Sequence, residues 1–235
     1  MGWTRAAGRG IGRWNRGIGA QFRPDGLFRQ RCWEARGRLE GDHPYARLVI
    51  LTKSADDENL LDLDHADRTI LSWTVNAPEV AQRFERNTPD VSARIEAMRR
   101  CAQAGYPVRA VVMPIIPAAD WQETYGRFME RLLATVPLSR ISLGSICSYP
   151  QAQRLMELKL GKQNAISALF DRGPAQSDDG RLRFGRAVRE EIYRYLIGCI
   201  RRQRPDLEIG LCLEDEPMFA SLDLTGSMGR CNCVL

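Results

Sequence analysis

Short apolar runs that alternate with helical patterns constrain the fold of this chain more than any other feature. The runs cover residues 47–52, 69–75, 107–113, 140–145 and 207–213. Apolar runs of this length suit strands that are covered on both faces. Strands that alternate with helices form parallel sheets through right-handed crossovers, and five strands are too few for a closed eight-stranded barrel. The sequence therefore predicts an α/β fold, an open and partial parallel βα barrel, over residues 41–235.

Helical patterns fill the intervals between these runs. In the first, Thr88 is the expected N-cap and Pro89 the first helical residue, and the pattern ends at Gly105 before the next apolar run. Apolar residues at helical spacing predict two further helices, over residues 121–135 and 186–203.

Residues 1–40 differ from the rest of the chain. They hold nine arginines, no lysine, three acids and eight of the 20 glycines, and the remainder is close to neutral. The glycine-rich residues 8–12 neither follow a strand pattern nor precede a helical one, which argues against a phosphate loop. Two interpretations stay open, a disordered Arg/Gly tail that contacts nucleic acid and a non-native stretch produced by a misplaced start or a frameshift.

Composition narrows the class of protein. The seven cysteines are scattered without the spacing of a small disulfide-bonded domain, which favours reduced thiols and a cytoplasmic location. No apolar run approaches the roughly 20 residues of a membrane span, and no secretory leader is recognisable. His43 and His65 do not form a metal-ligand constellation, because no acids accompany either one in a metal-binding pattern, and His65 is expected to be solvated. The oligomeric state is left open.

Polar residues follow the predicted strands where ligands of parallel α/β folds bind, at the carboxyl ends. Lys53 comes directly after the first strand and is one of only three lysines in the chain. Thr74 and Asn76 end the second strand, and Cys147 follows the fourth. These residues predict a small-molecule site at one end of the sheet.

The segment RLVILTKSADDENLL, which begins at Arg47, and the run from Ile70 to Leu133 resemble the spore photoproduct lyase family. This branch of the radical SAM superfamily repairs UV thymine lesions in DNA with S-adenosylmethionine (AdoMet) and a [4Fe–4S] cluster. The resemblance implies a carbon–carbon lyase that acts on UV-damaged DNA. It also implies that Lys53 contacts the AdoMet carboxylate, and that Thr74 and Asn76 replace the Ser-x-Asn strand end of the family as cofactor contacts.

The sequence departs from that family in its cysteines. The Cys-x3-Cys-x2-Cys motif that binds the cluster is absent, so the N-terminal cluster-binding part is expected to be missing and no residue is assigned to a metal. Cys147, Cys231 and Cys233 are the candidate catalytic thiols, as hydrogen donors. Activity is therefore open, and the alternatives are a non-catalytic barrel remnant that at most binds AdoMet, an iron-free enzyme, and a nucleic-acid-binding module that uses residues 1–40.

Overall fold

The structure is a computed structural model that describes residues 47–65, 67–164, 166–167, 175–176 and 180–232. The segment 1–40, with its proposed boundary, and Cys233 lie outside the described residues, and the expectations for them stay predictions.

Five parallel strands form the main sheet, in the order β1-β2-β3-β4-β8. The first four strands lie side by side in chain order, and helical crossovers connect successive strands, as the alternating pattern predicts. The open, partial βα barrel is thereby confirmed. The strands are β1 (Leu48–Thr52), β2 (Thr69–Val75), β3 (Val108–Ile115), β4 (Arg140–Ser145) and β8 (Glu208–Leu211).

Seven α-helices lie within the described residues, and the long ones, α3, α4 and α6, cover one face of the sheet. The sequence places α4 and α6 at their observed bounds, since each carries a continuous apolar stripe that packs against its neighbours. The helices are α1 (Glu58–Leu61), α2 (Pro78–Phe84), α3 (Val91–Gln103), α4 (Trp121–Thr135), α5 (Pro150–Leu160), α6 (Arg186–Gln203) and α7 (Glu216–Ser221).

Helix α3 begins two residues later than the sequence indicates. Its N-cap is Asp90, whose carboxylate accepts a hydrogen bond from the Ser92 N–H at 2.7 Å, and not Thr88. An aspartate is as good an N-cap as a threonine, and here it is the residue whose side chain reaches the first turn. The hydroxyl of Thr88 instead contacts Glu85 Oε2 at 3.4 Å.

His65 is not solvated, contrary to the prediction. Its ring stacks on Tyr106 with the ring centroids 3.9 Å apart, and its Nε2 lies 3.3 Å from the carbonyl oxygen of Ala104. The imidazole therefore packs at the end of α3 as an aromatic side chain.

A second, antiparallel sheet stands beside the carboxyl end of β4 and has no counterpart in the predicted pattern. Its order is β5-β7-β6, and each strand is two residues long: β5 (Cys147–Ser148), β6 (Ala175–Gln176) and β7 (Leu182–Arg183). Strands this short show no alternation that a sequence pattern can reveal.

The main sheet has two unlike faces. Leu71, Trp73 and Val75 of β2 are at most 1% exposed and belong to the apolar core under the helices. The alternate residues of the same strands form the opposite face, here called the inner face. Two register rows define it, Ser72–Arg109–Arg140–Glu208 and Thr74–Val111–Ser142–Gly210. This face is polar for much of its length, and it leads to the carboxyl ends of the strands.

Within the described residues, none of the helices combines the length and the apolar character that crossing a membrane requires.

Candidate functional site

Three charged side chains meet where β1 and β2 end, and they are called here the rim cluster: Lys53, Glu85 and Arg94. Lys53 Nζ lies 2.7 Å from Glu85 Oε1, and Arg94 Nη2 lies 2.9 Å from Glu85 Oε2. One carboxylate thus lies between two cations, which leaves the rim cluster with a net positive charge. Arg94 is 1% exposed and Lys53 is 35% exposed, so Lys53 is the member that an incoming anion can reach.

The chain builds the rim cluster from three successive elements. Lys53 follows β1, Glu85 caps the carboxyl end of α2, and Arg94 projects from the first turns of α3. Arg94 also donates to the carbonyl oxygens of Thr74 and Pro89, both at 3.1 Å. Because a buried guanidinium needs acceptors for its N–H groups, these bonds fix Arg94 and with it the position of Glu85.

Thr74 and Asn76 lie at the same end of β2 but differ in what they offer a ligand. Thr74 is half-buried. Asn76 is 1% exposed: its Nδ2 donates to Pro114 O at 2.8 Å, and its Oδ1 accepts from the Ala77 N–H and the Tyr125 hydroxyl. The amide therefore ties the end of β2 to the end of β3. A direct contact between Asn76 and a cofactor stays a prediction, as do the contacts of Thr74 and Lys53.

Two buried tyrosines brace the strand ends from the helix layer. Tyr125 accepts from the Ile116 N–H at 2.9 Å, beyond β3, and Tyr193 accepts from the Ser145 N–H at 2.9 Å, at the end of β4. Tyr193 in turn donates to Glu214 Oε1 at 2.7 Å. Burial raises the pKa of both phenols far above the ordinary value, so both remain protonated donors.

Glu214 joins the last strand to this brace. Its second carboxylate oxygen pairs with Arg189, which also donates to Phe184 O at 2.9 Å. Both side chains of this ion pair are less than a tenth exposed. The carboxyl ends of β3, β4 and β8 are thus fixed by polar contacts from α4 and α6, and the end of the sheet is rigid where a ligand would bind.

The two candidate thiols within the described residues lie in different parts of the fold. Cys147 is half-buried in β5, opposite Arg183, and Cys231 is half-buried on the inner face side of the sheet. By contrast, Cys101 is fully buried, and burial raises the pKa of its thiol to about 12, which makes it unreactive. Catalytic roles for Cys147, Cys231 and Cys233 stay predictions.

The residues that the sequence does not reveal are mainly those that hydrogen-bond to the strand ends. Arg94, Tyr125, Tyr193 and Glu214 read as ordinary helix or loop residues, because their contacts join positions 9 to 49 residues apart. The only signal in the sequence is that polar residues interrupt otherwise apolar helix faces. The largest omission is Asn232, which reaches residues 90 to 160 positions away.

The described residues fit one of the two groups that the family resemblance implies. AdoMet carries a carboxylate, and the half-exposed ammonium of Lys53 in a cluster with net positive charge fits it. A [4Fe–4S] cluster does not fit, because in the described ranges no three His, Cys, Asp or Glu side chains gather as potential ligands.

The fold is a partial parallel βα barrel of the radical SAM type. Spore photoproduct lyase complexed with dinucleoside spore photoproduct has the same fold, with a TM-score of 0.64 and 23% identity over 73% of this chain and 53% of that one. A mutant of that enzyme with bound AdoMet and dinucleoside spore photoproduct matches with a TM-score of 0.63 over 72% of this chain and 52% of the other.

Sequence comparison gives the particular relatives. Residues 37–144 match the family model described as spore photoproduct lyase. The chain is 35% identical to the spore photoproduct lyase of Bacillus subtilis (strain 168) over 97 residues, which is 41% of this chain and 28% of that protein. It is also 35% identical to that of Geobacillus sp. (strain Y412MC61) over 92 residues. The resemblance to the spore photoproduct lyases is confirmed, and the matched region spans between a quarter and a third of these relatives.

Proposed function

We propose that this chain binds AdoMet at the rim cluster and acts, as a spore photoproduct lyase-like protein, on UV thymine lesions in DNA. The observation that carries the proposal is the rim cluster, a half-exposed lysine in a net positive environment at the carboxyl end of a parallel sheet. It lies inside the region that matches the family model. A relative with this fold has been solved with bound AdoMet and dinucleoside spore photoproduct, which supports the assignment of cofactor and substrate class.

Each residue has a separate task in this proposal. Lys53 keeps two N–H donors beyond the one that faces Glu85, and these take the carboxylate of AdoMet. Thr74 offers a hydroxyl from the neighbouring strand. Asn76 and Tyr125 hold the ends of β2 and β3 at a fixed separation, which fixes the end of β2 that carries Thr74.

AdoMet, if bound here and cleaved by a one-electron reductant from outside the described residues, would supply the radical chemistry that removes hydrogen from the substrate. The residues of this chain bind and orient the cofactor and return hydrogen. Cys147, Cys231 and Cys233 are the proposed donors, because each thiol holds a weakly bound hydrogen. No step is assigned to an iron–sulfur cluster, since the described residues do not provide its ligands.

Replacing Lys53 tests the cofactor assignment. Loss of one charge-assisted hydrogen bond removes about 1.5–3 kcal/mol, so we expect Lys53→Met to weaken AdoMet binding roughly 10- to 100-fold in equilibrium dialysis. Lys53→Arg, which keeps the charge, restores part of the affinity. The control is Lys162→Met, an exposed lysine beyond α5. Equal affinity in the wild type and Lys53→Met would contradict the assignment.

A count of iron and acid-labile sulfide after anaerobic reconstitution tests the activity. About four iron per chain, with AdoMet cleaved on reduction, supports a working lyase. Alanine variants of the three thiols, with deuterium traced from solvent into the product, then identify the donor. No iron in a chain that still binds AdoMet would favour a non-catalytic remnant.

A further inference from the structure

The segment Arg230–Asn232 runs across the inner face of the sheet and contacts four of its five strands. Asn232 Nδ2 donates to Ala110 O in β3 at 2.8 Å and to Ser72 Oγ in β2 at 3.2 Å. Ser142 Oγ in β4 donates to Asn232 Oδ1 at 2.8 Å and accepts from the Asn232 backbone N–H at 3.1 Å. One asparagine therefore uses both ends of its amide and its backbone to join three central strands.

The other end of the segment is held by β8. A Cβ atom on Gly210 would lie 2.7 Å from the carbonyl oxygen of Arg230, closer than such atoms approach in proteins. The Arg230 guanidinium lies 3.5 Å from Glu208 Oε1. The sheet thus has a glycine where the backbone of the segment crosses it, and a carboxylate beside the arginine that precedes Asn232.

Burial shows that this contact is part of the packed structure. Asn232, Ser72 and Ser142 are each at most 1% exposed. Buried polar groups are costly unless they are hydrogen-bonded, and here the two buried serine hydroxyls are bonded to Asn232. The inner face is therefore closed at this level.

The position of the segment relates it to the rim. Ser142 and Gly210 share a register row with Thr74, and Ser72 lies two residues before Thr74 on the same face of β2. The segment accordingly covers the inner face just inside the level of Thr74. A ligand that enters from the carboxyl ends of the strands would meet it next.

We propose that Arg230–Asn232 is the floor of the AdoMet site, with Asn232 as the positioning residue that fixes this floor to β2, β3 and β4. The inference rests on the proposed function, because it presumes that AdoMet binds at the rim. The floor limits the depth of the site and excludes water from beneath the cofactor. It also holds the backbone of Cys231 between two fixed residues, so the thiol stays with the sheet.

Hydrogen exchange of the full chain, followed by mass spectrometry, tests whether the segment is fixed. We expect peptides that contain residues 230–232 to be protected in the wild type and to exchange at least about tenfold faster in Asn232→Ala, since the buried bonds are lost. Met228→Ala is the matched control, an exposed side chain just before the segment. Exchange at the rate of an unstructured peptide in the wild type would overturn the proposal.

AdoMet affinity tests whether the fixed segment forms the floor. We expect Asn232→Ala and Gly210→Ala to weaken AdoMet binding about 5- to 50-fold, while Met228→Ala binds like the wild type. Gly210→Ala changes no residue of the segment and displaces it through the backbone contact, so it replaces Asn232→Ala if that variant does not fold. Asn232→Asp keeps the volume but loses the two donated bonds, and it should behave like Asn232→Ala.

The two failures are distinguishable. If residues 230–232 exchange faster in Asn232→Ala than in the wild type and the variant binds AdoMet equally well, the segment is not the floor of the site, and the proposed function is unaffected. A wild-type chain that is protected at residues 230–232 and does not bind AdoMet would overturn the proposed function, and the role of the segment as a cofactor floor with it.

Discussion

Single tyrosine hydroxyls fix the carboxyl ends of the strands in the main sheet. Tyr125 and Tyr193 come from different helices, yet each accepts a backbone N–H at or just after the end of one strand and donates to a side chain that follows another strand. Neither phenol ionises near neutral pH, because burial raises its pKa. Each tyrosine hydroxyl thus takes the place of the backbone hydrogen-bond partner that a strand loses where it ends.

Tyr193→Phe removes one of these hydroxyls and leaves the Ser145 N–H and a Glu214 oxygen buried without it. We expect the free energy of unfolding to fall by about 1–3 kcal/mol, measured by urea denaturation. Tyr195→Phe, two residues further along α6, is the control, since its hydroxyl bonds Gln122 O at the surface. A smaller loss for Tyr193→Phe than for Tyr195→Phe would show that the brace does not stabilise the strand end.

Elements differ in how far they can be predicted from the sequence. The strands and the helices α4 and α6 are predictable because their apolar residues repeat at the period of the element. Helix α5 is not, since its apolar residues face solvent: Leu158 is 82% exposed and no residue of the helix is buried. The strand pattern places Lys53 and Thr74 at the same end of the sheet, but the positions of Arg94 and Asn232 depend on contacts that only the folded chain creates.

The exposed face of α5 predicts that this helix adds little to stability. Leu158→Ala should change the free energy of unfolding by no more than about 0.5 kcal/mol, because no packed contact is lost. Leu196→Ala in α6, where the side chain is fully buried, should cost about 2–5 kcal/mol. Denaturation of both variants by urea measures the difference. Similar losses in the two helices would mean that α5 is packed.

At the scale of the whole molecule, ion pairs join the amino ends of β4 and β8 to the segment Arg230–Asn232 that crosses the sheet. Glu208 in β8 lies 2.9 Å from Arg140 in β4 and 3.5 Å from Arg230. Burial raises the pKa of Glu208, but the hydrogen bond and the charge of Arg140, together with Arg230, outweigh it and hold the pKa below the ordinary value of 4.5. The stabilisation is therefore complete above that value and is lost as the pH falls through the lowered pKa.

Glu208→Gln should accordingly make the chain less stable at pH 7 and reduce the loss of stability on acidification. We expect the difference in unfolding free energy between the wild type and Glu208→Gln to shrink steadily below pH 4.5. Urea denaturation between pH 7 and pH 3 measures it. Glu130→Gln, an exposed carboxylate on α4, is the control. If the difference in unfolding free energy between the wild type and Glu208→Gln stays constant from pH 7 to pH 3, protonation of Glu208 does not contribute to acid destabilisation.

The crossing of the inner face by Asn232 also has a consequence for biosynthesis. Ser72 leaves the ribosome 160 residues before the asparagine that bonds it. At about 5–20 residues per second, that interval lasts roughly 8 to 32 s. During this interval Ser72, and Ser142 once β4 has been made, lack the asparagine that bonds them in the folded chain. A chain stalled after residue 211 and before residue 232 would contain all five strands of the sheet but not the asparagine that covers their inner face.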